Sequence, residues 1–288
     1  MKASSFTADY AAVRSGGTET IMKFGLLGAK LGHSLSPQIH QEVFRQLGIT
    51  ATYELIEVPG ECLADKVAEL RKTYLGLNVT IPHKVAVMES LDDVATEAKA
   101  IGAVNTIFFN GEKAEGYNTD YFGFARLLEH NGLVPTGKEV CVLGTGGASR
   151  AILQCVRDMK AKHITVISRK IENAPEDIRT RYDVKTYGDL KHMAGNLLIN
   201  CTPVGMFPLV DASPVDAAVM EHFGAAVDII YNPAETRFMQ LAKQQGKPAV
   251  NGLFMLVAQA VAADEIWLGR KLETGLIADI TEKMRLLL

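Results

Sequence analysis

Polar and ionisable residues gather in four short runs within the first 120 positions of this 288-residue chain. They are Ser34-Leu35-Ser36-Pro37, Asn78-Val79-Thr80 with Pro82 and Lys84 close behind, Ala103-Val104-Asn105-Thr106, and Asn118-Thr119-Asp120. Hydroxyls and amides in that number suit a small polyhydroxylated ligand, and one ammonium with one carboxylate adds the means to move a proton. Singly, each residue has an ordinary structural role. Ser36 can cap a helix, Asn105 can sit in a turn, Asp120 can cap the next helix and Lys84 can be solvated. Their concentration argues for a site.

A different chemistry is written at Gly144-Thr145-Gly146-Gly147-Ala148-Ser149-Arg150, where the apolar run Val140–Leu143 passes through glycines into a helical pattern. Gly144 permits a tight turn, and Gly146 lets backbone N–H groups approach a pyrophosphate at a helix N-terminus. The third position of the pattern is Ser149, where Gly or Ala is the rule. The next strand ends Ser168-Arg169-Lys170, with two cations and no acid. An acid there would accept from the ribose 2′-hydroxyl of NAD, whereas a guanidinium grips the extra 2′-phosphate of NADP.

Alternating elements must hold these groups. Apolar periodicity predicts strands at 23–28, 52–58, 76–81, 140–144, 164–168, 197–201 and 226–230, with helices at 37–47, 61–74, 148–160 and 238–245. Ile39, Val43, Phe44 and Leu47 form one stripe, and Ser36-Pro37 reads as a hydroxyl cap followed by a pre-set first turn. Such alternation argues βαβ units and mostly parallel sheets. Asn110-Gly111, between apolar runs at 104–109 and 113–118, reads as a two-residue hairpin turn. A helix follows at 121–130, and the seam between two domains falls near Asp120. Helical patterns at 253–267 and 274–288 could close either domain.

Composition bounds the class. Hydrophobic residues are 48% and charged residues 22%, which excludes a disordered or collagenous chain. A net charge of −3 gives no reason to expect nucleic acid or an anionic membrane as partner. Cys62, Cys141, Cys155 and Cys201 have no CxxC or zinc-ligand spacing; three of them sit in apolar surroundings and read as reduced core thiols, with no metal expected and a cytoplasmic location. The first twenty residues have no apolar core of a secretory signal and read as a loose extension.

Taken together, the runs above and Met255-Leu-Val-Ala-Gln259-Ala resemble the shikimate dehydrogenase family, in its order, from about residue 23 to 270. The resemblance implies an α/β protein of two α/β domains. An N-terminal substrate domain at 21–119, completed by C-terminal helices at 254–288, would accompany a Rossmann-like NADP-binding domain at 120–253, with the active site in the cleft between them. It implies reversible reduction of 3-dehydroshikimate to shikimate by NADPH, in the route to chorismate and aromatic amino acids. Ser34 and Ser36 would then hold the substrate carboxylate. Thr80, Asn105 and Gln259 would hold its hydroxyls, with Tyr231 nearby, and Lys84 and Asp120 would form the catalytic pair. Gly144, Thr145, Gly146, Gly147, Ala148 and Ser149 would cradle the pyrophosphate. Ser168 and Arg169 would meet the adenosine end, and Ile229 and Gly252 would border the nicotinamide.

Three positions depart from the family pattern: Tyr121 where many members have Gly, Lys170 where Thr is usual, and Asn173 where a second arginine is often found. Two other readings stay open. A quinate/shikimate dehydrogenase with NAD use would share the motifs, and a non-catalytic shikimate- or quinate-binding regulator would share the ligand residues. The expected partner is a small molecule, with a homodimer left open.

Overall fold

The computed structural model describes residues 21–32, 34–111 and 113–288. The expected loose extension at 1–20 lies outside the described residues. The chain divides into two compact units, one running through Thr119 and resuming over Gln259–Met284, the other formed by Asp120–Ala258 and Arg285–Leu288. Among the described residues no helix is long and apolar enough to cross a membrane.

The first unit is built on a mixed six-stranded sheet. Its strands are β1 (Met22–Gly28), β2 (Ala51–Glu57), β3 (Gly76–Val79), β4 (Asp93–Val94), β5 (Thr106–Asn110) and β6 (Lys113–Tyr117), in the order β2-β1-β3-β5-β6-β4. β1 pairs in parallel with β2 and β3, whereas β5 runs antiparallel to β3 and to β6. Period-two alternation gives the sheet two apolar faces. Leu27, Leu77 and Ile107 join one cluster with Val67 and Leu70, and Phe24 and Leu26 join another with Phe44, Tyr53 and Trp267. The hairpin is shifted by one residue from the expected turn. Asn110 pairs with Lys113, so Gly111, at φ +64°, opens the loop that Asn110 was expected to open.

Helix α1 (Ser36–Leu47) corrects a second expectation. Ser36 is the first helical residue and no side chain caps the helix. Ser34 instead accepts from the Ser36 N–H with its hydroxyl oxygen, at 3.2 Å, so the first helical N–H has a partner. The helix expected at 61–74 is shorter: a 3₁₀ turn at Gly60–Cys62 leads into α2 (Leu63–Leu70), and turns follow. The short α3 (Thr96–Ile101) precedes the hairpin.

The second unit carries a fully parallel sheet of β7 (Glu139–Leu143), β8 (His163–Ser168), β9 (Asp183–Thr186), β10 (Gly195–Asn200), β11 (Phe223–Asp228) and β12 (Ala249–Val250). The order β12-β11-β10-β7-β8-β9 makes β7 and β10 the neighbours from which the chain winds in opposite directions. That is the doubly wound arrangement whose ligands bind beyond the strand ends at the switch point. Both faces are covered, as an all-parallel sheet requires. Val140, Val142, Leu197, Ile199 and Val227 enter one cluster, and Cys141, Leu143, Leu198 and Ala226 enter the other. The helices of this unit before β12 are α4 (Thr119–His130), α5 (Gly147–Asp158), α6 (Glu176–Arg181), α7 (Tyr187–Leu190), α8 (Ala217–Glu221) and α9 (Arg237–Gln244), the first beginning at the boundary residue Thr119.

The chain's one tryptophan offers a direct test of the first unit's packing. Trp267 is fully buried on the late helix Leu253–Leu268, stacks on Phe24 at 4.7 Å and donates its indole N–H to the Ile107 carbonyl at 2.9 Å. A Cβ on Gly76 would lie 2.1 Å from that indole nitrogen. Gly76→Ala is therefore expected to cost about 1–3 kcal/mol through overpacking. Denaturant unfolding followed by tryptophan fluorescence checks this. An unchanged midpoint and emission maximum would show that the sheet yields freely there.

Candidate active site

In the first unit, three of the four polar runs join one hydrogen-bonded chain, and the serine run lies where the loop after β1 enters α1. The loop after β1 is held when Leu31 N–H donates to Glu57 Oε1 at 2.7 Å, and Ser34 N–H then closes back on the Leu31 carbonyl. The Ser34 and Ser36 hydroxyls are 3.1 Å apart. Buried Tyr53 donates to Asn78 Oδ1 at 2.7 Å, and Asn78 Nδ2 donates to Thr106 Oγ1 at 3.1 Å. Asn105 Oδ1 accepts from Thr106 Oγ1, from Thr119 N–H and from Thr119 Oγ1, at 3.0, 2.7 and 3.1 Å. Thr119 Oγ1 in turn reaches Gln259 Oε1 at 3.4 Å. With its oxygen so engaged, what Asn105 retains for a ligand is the amide nitrogen, a donor.

Thr80 and Lys84 are positioned by backbone. Thr80 N–H donates to Leu27 O of β1, Thr80 O accepts from His83 N–H, and Lys84 O accepts from Val104 N–H at 2.8 Å, just before Asn105. A Cβ at Gly28 would lie 2.6 Å from the Thr80 methyl, so glycine at the end of β1 lets Thr80 sit where it does. His83 is buried with Nε2 2.9 Å from Val58 O. Asp120 belongs to the second unit and follows Thr119 directly in the chain. Tyr53, Thr106 and Thr119 were missed as site residues. Thr106 and Thr119 stand inside the recognised runs, and a strand tyrosine on a buried face needs a partner for its hydroxyl, which was the signal at Tyr53.

In the second unit the glycine loop lies at the switch point. Gly144 has φ +98°, and a Cβ there would lie 2.9 Å from the Thr202 methyl beyond β10. Gly146 is the N-cap of α5 and offers no side-chain cap. Around Gly146 and Gly147 a Cβ would meet nothing within 4 Å. Open space at the uncapped start of a twelve-residue helix, beside exposed Arg169 and Lys170 at the end of β8, fits a dinucleotide phosphate. Ser149 is buried and donates to Gly146 O at 2.6 Å, so its hydroxyl closes the turn. Arg150 is held in a bidentate pair with Asp177. Ser168 donates to Lys170 O at 2.8 Å, fixing the turn that carries Arg169.

Ile229 and Gly252 are brought together. Gly252 N–H donates to Ile230 O at 2.9 Å, and a Cβ on Gly252 would lie 2.0 Å from the Ile229 carbonyl oxygen. Tyr231, next in the chain, is half-buried, and burial pushes its phenol up. Tyr121 packs its ring on the second unit's core and donates to Asp158 Oδ2 at 3.2 Å.

Comparison with known proteins follows the same division. A family model described as the shikimate dehydrogenase substrate binding domain matches residues 26–107. A curated relative from Clostridium beijerinckii, shikimate dehydrogenase (NADP(+)), is 45% identical over 258 residues, covering 88% of this chain and 96% of its own. The chain belongs to the shikimate dehydrogenase family. Among solved members, the chorismate mutase/shikimate 5-dehydrogenase fusion protein from Clostridium acetobutylicum is similar at TM-score 0.90 and 43% identity, over 93% of this chain and 98% of that one. The shikimate 5-dehydrogenase of Thermus thermophilus, solved with NADP(H) and shikimate, matches at TM-score 0.83 and 33% identity, over 91% and 99%.

One buried acid organises the loops at the strand ends of the second unit in this shikimate dehydrogenase family member. Asp228, at the end of β11, accepts from Ile230 N–H and Asn200 Nδ2 with one oxygen and from Thr236 Oγ1 with the other, at 3.1, 3.0 and 2.7 Å. Asn200 Oδ1 holds Thr202, and Thr236 caps α9. Burial raises the Asp228 carboxyl to about 6, against the opposing pull of those three donors. In the unfolded chain the group titrates near 3.8. Its folded form therefore binds more protons between about pH 4 and 6, and this group's contribution to stability falls as pH rises through that window. Asp228→Asn is expected to flatten the profile by an amount on the order of 2–3 kcal/mol. Unfolding free energies of both proteins from pH 4 to 8 check it, and parallel profiles would sink the assignment.

Proposed function

We propose that this chain reversibly reduces 3-dehydroshikimate to shikimate with NADPH. The observation that carries the reading is the buried network from Asn78 through Asn105 and Thr119 to Gln259, flanked by the serine pair and Lys84. It offers donors for a carboxylate and for hydroxyls around one ammonium. Near-full-length similarity to relatives of that activity supports it. The free thiols Cys141, Cys155 and Cys201 are buried, which supports action in the reducing cytoplasm.

In this mechanism Ser34 and Ser36 bind the substrate carboxylate, and Thr80, Asn105 and Gln259 orient its hydroxyls, with Tyr231 also near the substrate. The glycine loop Gly144–Ser149 (Thr145 and Ala148 within it) binds pyrophosphate, Arg169 with Ser168 binds the adenosine end, and Ile229 and Gly252 border the nicotinamide. When bound there, NADPH would supply the hydride for reduction, and NADP would accept it in the reverse direction. As negative charge develops on the carbonyl oxygen, Lys84 Nζ stabilises it and gives it a proton, taking that proton back in the reverse direction. Asp120 completes the ionisable pair.

Purified protein given shikimate or quinate with NADP or NAD, followed by absorbance of the reduced cofactor, separates the readings. Turnover with shikimate and NADP is expected. Binding of shikimate without turnover in any combination would favour a regulator. Lys84→Met should lower turnover by at least ~100-fold with a much smaller change in shikimate binding. Asp120→Asn should also lower it, and the double variant should be scarcely slower than the worse single one. Multiplicative losses would separate the two roles.

Arg169→Ala should weaken NADP by roughly ten- to hundred-fold, the range for a lost charge-assisted contact, and leave NAD nearly unchanged. Equal weakening of both would move Arg169 away from the 2′-phosphate.

A further inference from the structure

The catalytic scheme leaves unused a buried acid and a buried imidazole in the first unit. His40 and Asp264 are both fully buried and meet at 2.8 Å, Nδ1 to Oδ1. His40 lies one helical turn beyond Ser36 on α1. Asp264 lies on the late helix Leu253–Leu268 that also carries Gln259, five residues earlier. The His40 ring stacks on Tyr53 at 4.2 Å and 11°, and Tyr53 begins the hydrogen-bonded chain that ends at Gln259.

These contacts close a ring. It runs from Ser36 along α1 to His40, across to Asp264, back along the late helix to Gln259, then through Thr119, Asn105, Thr106 and Asn78 to Tyr53 and His40 again.

The pair is a poor source of stability. His40 Nε2 and Asp264 Oδ2 are buried with no hydrogen-bond partner among the described residues. Burial raises the Asp264 carboxyl against the pull of His40, and Glu265 beside it raises it further. Desolvating two such groups with half their polar atoms unmatched costs free energy that well-packed apolar side chains would not. What an apolar pair lacks is direction: a bond of fixed length between two side chains of fixed register.

We propose that His40 and Asp264 are positioning residues, a clamp that sets the helix carrying Gln259 against the helix carrying Ser36 so that both reach one substrate. This rests on the reading of Ser36 and Gln259 as substrate contacts. The apolar double variant His40→Phe with Asp264→Leu keeps the stack on Tyr53 and removes the bond. Its thermal midpoint is expected to match or exceed that of the parent. Its KM for shikimate should rise about ten-fold, the scale of one well-placed hydrogen bond, with the KM for NADP unchanged. Asp264→Asn preserves shape and a hydrogen bond to Nδ1 in either tautomer, and should restore the parent KM.

Ser36→Ala and Gln259→Ala are measured alongside. If these raise the shikimate KM while the apolar pair leaves it at the parent value, the clamp is overturned and the substrate assignment stands. If neither single variant moves it, the assignment fails first and the clamp with it. Should the apolar pair not fold, Asp264→Asn against Asp264→Leu decides: equally raised KM values overturn a directional role.

Discussion

Three hydrogen bonds to a single carboxamide oxygen, that of Asn105, hold the first unit's candidate residues in register. Two of them come from Thr119, one from its backbone N–H and one from its hydroxyl. Thr119 is the first residue of a helix, where an N–H lacks an intrahelical partner. Asn105 therefore caps from a distance a helix whose second residue is Asp120. The same oxygen accepts from Thr106, at the start of β5, and ties that strand end to Thr119. Its burial makes the arrangement stiff, because each of these donors would lose a partner with no water to replace it.

The second unit solves a different problem with the same economy of atoms. Its strands place alternate side chains in two apolar clusters, so cohesion is settled along their length and the C-terminal ends are free for chemistry. There the close approaches are of backbone to backbone. Gly252 against Ile229 leaves no room for a Cβ, and Gly144 abuts the segment after β10. Asp228 then joins two of these ends and one helix start by accepting from Asn200, Ile230 and Thr236. A buried carboxylate with three donors fixes loops whose apolar side chains, Val204, Met206 and Phe207 among them, stay exposed and do not anchor them.

Sequence periodicity reads such a chain unevenly. The buried strands β7, β8, β10 and β11 are apolar runs bounded by glycine or polar residues, and were legible. So was the crossover logic that follows from parallel strands. β4 and β12 were not, since two paired residues leave no period to detect, and β9, Asp-Val-Lys-Thr, has the polarity of a loop. At Ser36 local propensity was overridden: the helix begins one residue early, after Leu35, and Ser36 enters it with its own N–H held by Ser34. The candidate residues were legible as runs of unusual polarity. Their connection through Tyr53, and the pairing of His40 with Asp264 across 224 positions, depended on tertiary register that a single sequence does not print.

Ser149, which departs from the general dinucleotide-loop pattern, and Tyr121, which departs from the family pattern, are absorbed locally, which locates the constraint in the backbone. The third glycine of a dinucleotide loop serves close packing of helix on strand. Ser149 meets that need by being small and fully buried, and its hydroxyl, which would otherwise be an unsatisfied group, returns to Gly146 O. The start of α5 keeps its N–H groups uncapped by any side chain. Tyr121, bulky where a glycine is common, has its ring packed on the second unit's core and its hydroxyl on Asp158. Neither substitution disturbs a backbone amide that the proposed chemistry uses. By contrast, a Cβ at Gly28, Gly144 or Gly252 would collide with Thr80, Thr202 or the Ile229 carbonyl. Side chains at the rim of such loops can therefore change while the glycines that allow close approach cannot.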